Sequence, residues 1–133
     1  MALDSWNLAM KVPEVKSEKP VYDPEERTLQ FAKKTRLFVK TLPKTIANIE
    51  DATQLVRASG SVGANYREAN EALSKKDFLL RIKISRKEAK ESAYWLRLIC
   101  ETNHLDTATE AEALVREANE FVRIFSKIVD KSS

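Results

Sequence analysis

The stretch QLVRASGSVGANYREA, residues 54–69, holds both glycines of the chain inside a segment whose apolar residues recur at helical spacing. A glycine inside a helix costs about 1 kcal/mol relative to alanine. The alternative is a loop at Gly60 between two short helices, but helical spacing continues from Ile49 to Leu73. We therefore predict one helix with close packing, against another helix or the next subunit, along its small residues, Ser59, Gly60, Ser61, Gly63 and Ala64.

The rest of the composition indicates an all-α protein. The chain has 133 residues, of which only two are glycine and four are proline, so it is poor in the residues that make turns. Few turns combined with long periodic segments predict a small number of long helices. With 43% hydrophobic and 32% charged residues, the chain has the composition of a globular domain.

Helix-start signals divide the chain into four helices. Asp23 and Pro24 form a capping carboxylate followed by a proline at the first helical position. Ser74 and Thr107 are further candidate caps, each with an acid three residues later. The predicted helices span about 24–42, 46–73, 75–103 and 107–131, and short connections favour an up-down-up-down antiparallel four-helix bundle over residues 23–133.

Residues 1–22 carry no sustained periodicity. They contain Pro13 and Pro20 and alternate lysine with glutamate, so we expect an extended or partly disordered arm. This arm lacks the basic and apolar pattern of a secretion signal, and no apolar run is long enough to cross a bilayer. The single cysteine, Cys100, excludes an intramolecular disulfide and suits a reducing compartment. We therefore predict a cytoplasmic protein with no membrane partner.

The third helix carries the clearest functional signal. Residues 27–104 hold sixteen basic and eight acidic side chains. On a helical projection several cations and one tyrosine fall within a sector about 100° wide, with Glu101 as its only acid and with Glu88 and Glu91 directed elsewhere. Such a row is a candidate phosphate track, although charged helix faces are commonly just solvated. The predicted nucleic-acid-binding residues are Lys76, Lys83, Arg86, Lys87, Lys90, Tyr94 and Arg97.

A second face of the third helix lies opposite the cations. Ile84 and Trp95 fall outside the apolar seam, beside Glu88 and Glu91. Because tryptophan often anchors binding surfaces, we predict a subunit interface made by Ile84, Glu88, Glu91 and Trp95. The alternative is that Trp95 packs at the edge of the bundle with only its indole nitrogen exposed to water.

No motif predicts catalysis, a metal or a cofactor. Glu101 and His104 match the Glu-x-x-His pattern of metal-binding bundles, but such sites need a second copy of it and His104 is the single histidine. Asn65 and Glu68 are expected to form hydrogen bonds between helices or subunits rather than to act as catalytic groups. We predict a protein that is not an enzyme.

Two strings carry a family resemblance: LPKTIANIEDATQLVRASGSVGANYREANEALSKKDF at 42–78 and RIKISRKEAKESAYWLRLI at 81–99. With them the chain resembles the four-helix bundle family encoded within bacterial 23S rRNA intervening sequences, closely over residues 22–103 and more loosely in the fourth helix. The positions that match the family signature are Gln54, Arg57, Ser59, Ser61, Asn65, Glu68, Arg86, Glu88, Glu91, Trp95 and Leu96.

The resemblance implies a homopentamer and no known catalytic residues. It also implies similarity to the accessory proteins of diversity-generating retroelements, which are basic pentameric bundles that partner a reverse transcriptase and nucleic acid. Together with the cationic row, it predicts an oligomeric, non-catalytic bundle that binds RNA or DNA through its third helix as an accessory to a larger partner protein. The alternative is an oligomeric scaffold that binds protein and no nucleic acid.

Overall fold

The computed structural model describes residues 23–132, and the predicted arm at 1–22 lies outside the described residues. Four helices and no strand occur in this part of the chain, which confirms the predicted fold class. The helices are α1 (Pro24–Val39), α2 (Ile46–Asn70), α3 (Lys75–Thr102) and α4 (Ala108–Ser132). Each helix packs against the next one along the chain, and α1 also contacts α4, which closes the bundle.

The first three helices begin at residues whose side chains cap them. Asp23 accepts a hydrogen bond from the Glu26 backbone N–H at 2.9 Å, and Ser74 accepts one from the Asp77 N–H at 3.1 Å. Thr45 caps α2 in the same way. These bonds satisfy backbone donors that have no partner within the helix.

Two predicted helix ends lie too far along the chain. α1 ends at Val39 rather than 42, because Thr41 and Leu42 turn back onto the Phe38 and Val39 carbonyls ahead of Pro43. α2 ends at Asn70 rather than 73. The remaining predicted ends are within one residue of the observed ones.

The core follows the predicted apolar seams closely in α3 and α4. Helical spacing predicts a seam along α3 whose residues are all buried: Phe78, Ile82, Ser85, Ala89, Ser92, Leu96 and Ile99. In α4, the Phe121 ring meets Phe31 edge to face at 5.4 Å and lies 6.0 Å from Phe125, which stacks on Tyr66 at 5.8 Å. These rings join α1, α2 and α4, and edge-to-face and offset contacts are the favourable geometries for aromatic pairs.

Helical spacing predicts that Ile49 and Leu73 belong to the apolar face of α2, but both are exposed. Ile49 is 54% exposed and Leu73 is 98% exposed. Leu73 lies beyond the end of the helix, where helical spacing no longer fixes its direction. The buried face of α2 is centred on Leu55, Val62 and Ala69, each fully buried, so Ile49 lies outside it.

Residues 54–69 form one uninterrupted piece of α2, and neither glycine has a positive φ. Gly63 is buried against Thr28 of α1, and Gly60 lies beneath the guanidinium of Arg36. The glycines therefore provide space for α1 rather than an unusual backbone conformation. Of the other predicted close-packing residues, Ser59 is buried, Ser61 is half-buried and Ala64 is exposed.

Hydrogen bonds made by side chains join α2 to α3 at more than one position along their length. Ser85 Oγ donates a buried hydrogen bond to the Val62 carbonyl at 3.0 Å. At one end of the pair, Asn48 and Asn103 exchange two amide hydrogen bonds, each 2.9 Å long. Because buried polar groups are costly when unpaired, these bonds favour one register between the two helices.

Candidate nucleic-acid interface

The predicted row of cations, with Tyr94, lies on the outer side of α3. We call this row, from Lys76 to Arg97, the basic surface. It runs for about 32 Å between Lys76 and Arg97, given the rise of an α-helix. Arg86 is the one member of the row that is half-buried, and its Nη1 donates to Ser126 Oγ of α4 at 3.4 Å. The exposed members of the basic surface are Lys76, Lys83, Lys87, Lys90, Tyr94 and Arg97.

Acids on the same helix reach two of these cations. Lys87 Nζ lies 3.9 Å from Glu91 Oε1, and Arg97 Nη2 lies 3.2 Å from Glu101 Oε2. The expectation that Glu91 is directed away from the cations was therefore wrong for Lys87, because a spacing of four residues brings the two side chains together. Both pairs have highly exposed basic partners, and exposed pairs of this kind contribute little to stability.

The remaining lysines of the row form no ion pair within the described part of the chain. These are Lys76, Lys83 and Lys90, all of them exposed. A lysine that makes no ion pair can contact an anionic partner without first giving up an acid.

On a helical projection, the four residues predicted as a subunit interface fall on the side of α3 that carries Arg81, whose side chain contacts Asn65 of α2. Ile84, Glu91 and Trp95 are half-buried, and Trp95 packs against the hydrophobic core of its own chain. Packing at the bundle edge accounts for part of the burial of Trp95, and its contact with a second subunit stays a prediction.

Glu88 differs from its neighbours because the single chain already covers it. Glu88 is 8% exposed, and its Oε2 atom is buried without a hydrogen-bond partner. Burial raises the pKa of this carboxyl, repulsion from Glu91 raises it further, and attraction to Arg57 and Lys87 opposes both. A buried, incompletely paired carboxylate is a feature that sequence periodicity did not predict.

Signature residues of α2 line the same side of the bundle. Arg57 lies close enough to Glu88 to affect its titration, and Arg57 Nη2 donates to Gln54 Oε1 at 3.1 Å. Asn65 Oδ1 accepts from Arg81 Nη1 of α3 at 3.1 Å, which is the expected hydrogen bond between helices. We call this region, made by Gln54, Arg57, Asn65, Arg81, Ile84, Glu88 and Trp95, the α2–α3 face.

A cavity of about 750 Å³ between α1 and α4 has no counterpart in the sequence predictions. Phe31, Phe38 and Leu114 contribute apolar walls, and Leu37 at its rim is 61% exposed. Helical periodicity shows which face of a helix is buried, but it does not give the separation of two helices. The cavity therefore had no signal in the sequence.

The weaker chemical motifs, Cys100 and the pair Glu101 and His104, lie together at the end of α3. His104 is exposed beyond the end of α3, and across residues 23–132 no three His, Cys, Asp or Glu side chains form a group able to hold a metal ion. Cys100 is half-buried, and burial raises the pKa of its thiol. None of the four helices is long and apolar enough to cross a membrane.

Comparison with known proteins identifies related chains. The model of a family described as 23S rRNA-intervening sequence protein matches residues 25–127. A similar solved structure is that of a protein with unknown function from the S23 ribosomal protein family of Bacteroides thetaiotaomicron. It is 30% identical, the match covers 79% of this chain and 96% of that chain, and the TM-score is 0.71. No curated protein matches.

Proposed function

This chain belongs to the 23S rRNA-intervening sequence protein family, and we propose that it binds RNA or DNA through the basic surface of α3. The mechanism is electrostatic: lysine and arginine side chains engage phosphates and release the counterions held there. Such contacts position a nucleic acid without reading its sequence. The proposal assigns no catalytic residue.

The observation that supports this function best is the row of exposed cations on one helix. Lys76, Lys83 and Lys90 lie along one side of α3 with no ion-pairing acid among the described residues. The family name refers to 23S rRNA, and the solved relative is assigned to a ribosomal protein family. Structured RNA is therefore the first probe and DNA the second.

We further propose that the chain assembles into a homo-oligomer, with the pentamer implied by the family resemblance as the first model to test. The α2–α3 face supports assembly, since it combines the half-buried Trp95 and Ile84 with the incompletely paired Glu88. Assembly would present several copies of the basic surface to one nucleic acid. Several weak contacts then act together and raise the overall affinity.

The test is a binding titration of labelled structured RNA and of duplex DNA at about 50 and 200 mM salt. The variant exchanges Lys83, Lys87 and Lys90 for glutamate. We expect the wild-type affinity to fall steeply with salt, and the slope of its logarithm against log salt to decrease in the variant by about one per lysine that contacts a phosphate.

A matched control separates a local effect from a change in net charge. Lys33 lies within α1, Lys40 and Lys44 follow its end, and all three are exposed. Their exchange for glutamate alters the net charge by the same amount. This control should bind nearly as the wild type does. Binding that ignores salt, or that survives the α3 charge reversal, would contradict the proposed function.

The second candidate function is an oligomeric scaffold whose partner is a protein. It is favoured by the α2–α3 face, where Trp95 and Arg57 are residue types that often anchor protein interfaces. A chain that assembles in solution but binds neither RNA nor DNA at low salt would support the scaffold and reject nucleic-acid binding.

A further inference from the structure

One stretch of the basic surface contains a pocket rather than a flat row of charges. The pocket has a volume of about 460 Å³, which lies within the range of small-molecule sites and is large enough for one nucleoside. Lys90, Tyr94 and Arg97 of α3 contribute three of its side chains, and Asn119 of α4 contributes the opposite rim. We call this site the Tyr94 pocket; its other members are Ala93, Leu98 and Glu101.

The aromatic ring of Tyr94 is both exposed and positioned. Tyr94 is 59% exposed, an unusual environment for a large aromatic side chain. Its ring meets Trp95 edge to face, with 5.0 Å between centroids and an interplanar angle of 78°. Trp95 packs in turn on the hydrophobic core. The exposure of Tyr94 leaves part of its ring open to solvent, and proteins that bind unpaired bases stack them on aromatic side chains.

Cations flank this ring on both sides along α3. Lys90 lies one turn before Tyr94 and Arg97 lies one turn after it, so a base on the ring would have its neighbouring phosphates close to positive charge. Arg97 is paired with Glu101, but the two side chains are 69% and 65% exposed. A pair this exposed can exchange its carboxylate for a phosphate at little cost.

Asn119 completes the chemistry that an unpaired base requires. Its side-chain amide offers both a hydrogen-bond donor and an acceptor, and it lines the pocket from the neighbouring helix. The edge of a base paired in a duplex is already occupied by its partner strand. The edge of an unpaired base is free for such contacts.

We propose that the Tyr94 pocket binds one unpaired nucleotide, so that the chain prefers single-stranded nucleic acid to a duplex. The base stacks on Tyr94, its flanking phosphates contact Lys90 and Arg97, and Asn119 contacts the base edge. This inference rests on the proposed function and names its substrate class. A phosphate track alone would bind single strands and duplexes by charge, without using the ring.

The test compares a single-stranded oligonucleotide with a hairpin duplex of equal length and equal charge. We expect the wild type to bind the single strand more tightly. Tyr94→Ala should weaken single-strand binding by about 5- to 150-fold, the usual contribution of one stacked base. It should weaken duplex binding far less, because Tyr94 adds no charge to the basic surface. Tyr94→Phe, which keeps the ring, should bind as the wild type does.

A second pair of variants tests the charge arrangement around the ring. Glu101→Gln removes the acid that competes for Arg97, so it should raise single-strand affinity by a few-fold. Glu71→Gln makes the same charge change at an exposed site outside the Tyr94 pocket and is the matched control. Both variants alter exposed side chains, and unfolding curves should show that their stability is unchanged.

The possible outcomes distinguish the two proposals. Equal loss of single-strand and duplex binding in Tyr94→Ala, or no loss at all, would overturn the Tyr94 pocket and leave the basic surface standing. If the wild type binds neither probe at low salt, the proposed function fails and the pocket fails with it. Selective loss of single-strand binding would support both.

Discussion

Thr28 of α1 occupies the space that a side chain at position 63 of α2 would need. A Cβ added to Gly63 would lie 2.8 Å from Thr28 Oγ1 and 3.1 Å from Thr28 Cβ. Thr28 is fully buried, and its hydroxyl donates to the Pro24 carbonyl at 2.6 Å. It has little freedom to move away, so α1 and α2 can approach this closely only because position 63 is a glycine.

We expect Gly63→Ala to destabilise the bundle although alanine is the better helix former. Overpacking of a core costs about 1–3 kcal/mol, which exceeds the gain of about 1 kcal/mol in helix propensity. The measurement is the free energy of unfolding in denaturant. The double variant with Thr28→Ala should recover part of the loss, because it removes Oγ1, the atom of Thr28 that lies nearest to the new methyl group.

Gly60→Ala is the matched control, one turn earlier on the same helix. A Cβ there would lie 3.1 Å from Arg36 Nη2, the end of a flexible and exposed side chain. The guanidinium can shift, so the propensity gain remains and the variant should be as stable as the wild type or more stable. Equal effects at the two positions would contradict the argument that Thr28 decides the requirement at position 63.

Much of the fold was predictable because local signals agree with the tertiary structure. The seam of α3 from Phe78 to Ile99 is read directly from helical spacing, and the predicted caps Asp23 and Ser74 give two of the helix starts. The third predicted cap, Thr107, instead shares a hydrogen bond with Thr41 Oγ1 at 3.0 Å. In the glycine-containing segment, too, the local pattern agrees with the tertiary structure. Its helical spacing persists through Gly60 and Gly63 because their small size serves the packing of α1.

What could not be predicted depends on the rotation and separation of the helices. Asn119 of α4 lies beside the Tyr94 pocket, and no pattern in either helix shows that contact. The burial of Glu88 and the cavity beside Phe31 could not be predicted for the same reason. Periodicity identifies the buried side of one helix, whereas a site made by two helices depends on how their faces are aligned.

The closure of α1 on α4 depends on a bidentate ion pair that the sequence did not reveal. Arg27 Nε donates to Glu117 Oε2 at 2.9 Å and Arg27 Nη2 donates to Oε1 at 2.7 Å. The guanidinium also lies 5.5 Å from the centre of the Phe121 ring. The hydrogen bonds with Glu117 raise the pKa of Arg27, against the opposing effect of burial. We expect this pair to stabilise the contact between α1 and α4.

A double-mutant cycle measures that contribution. Alanine variants of Arg27 and Glu117, singly and together, should give a coupling energy of about 1 kcal/mol or more, since the pair is bidentate and only partly exposed. The Arg123–Glu120 pair, whose side chains are 71% and 43% exposed, is the control and should give about 0.3 kcal/mol. Equal coupling in the two cycles would refute a special role for the α1–α4 pair.

The proposed oligomer predicts that a charge on the α2–α3 face prevents assembly. Ile84→Lys places a cation beside Trp95 at a half-buried position, and burial of that charge between subunits would be costly. We expect a lower mass by size exclusion with light scattering, with the helix content retained. Leu37→Lys is the matched control, at an exposed leucine of α1. An unchanged mass for Ile84→Lys would remove Ile84 from any interface.

Glu88 predicts an unusual dependence of stability on pH. Burial and the neighbouring Glu91 raise its pKa above the ordinary value, so the folded chain binds this proton more tightly than the unfolded chain does. Between the ordinary and the raised pKa, the free energy of unfolding therefore decreases as the pH rises. Above that window the ionised carboxylate destabilises the fold, and below it the destabilisation disappears.

Glu88→Gln should therefore raise the free energy of unfolding at neutral pH by about 1 kcal/mol, the scale set by one incompletely paired buried group. The gain should vanish in acid, where Glu88 of the wild type is protonated. Denaturant unfolding of both proteins across this pH range gives the comparison, with Glu68→Gln at an exposed position as control. Lower stability of Glu88→Gln at neutral pH would show instead that the attraction between Glu88 and Arg57 outweighs the cost of burial.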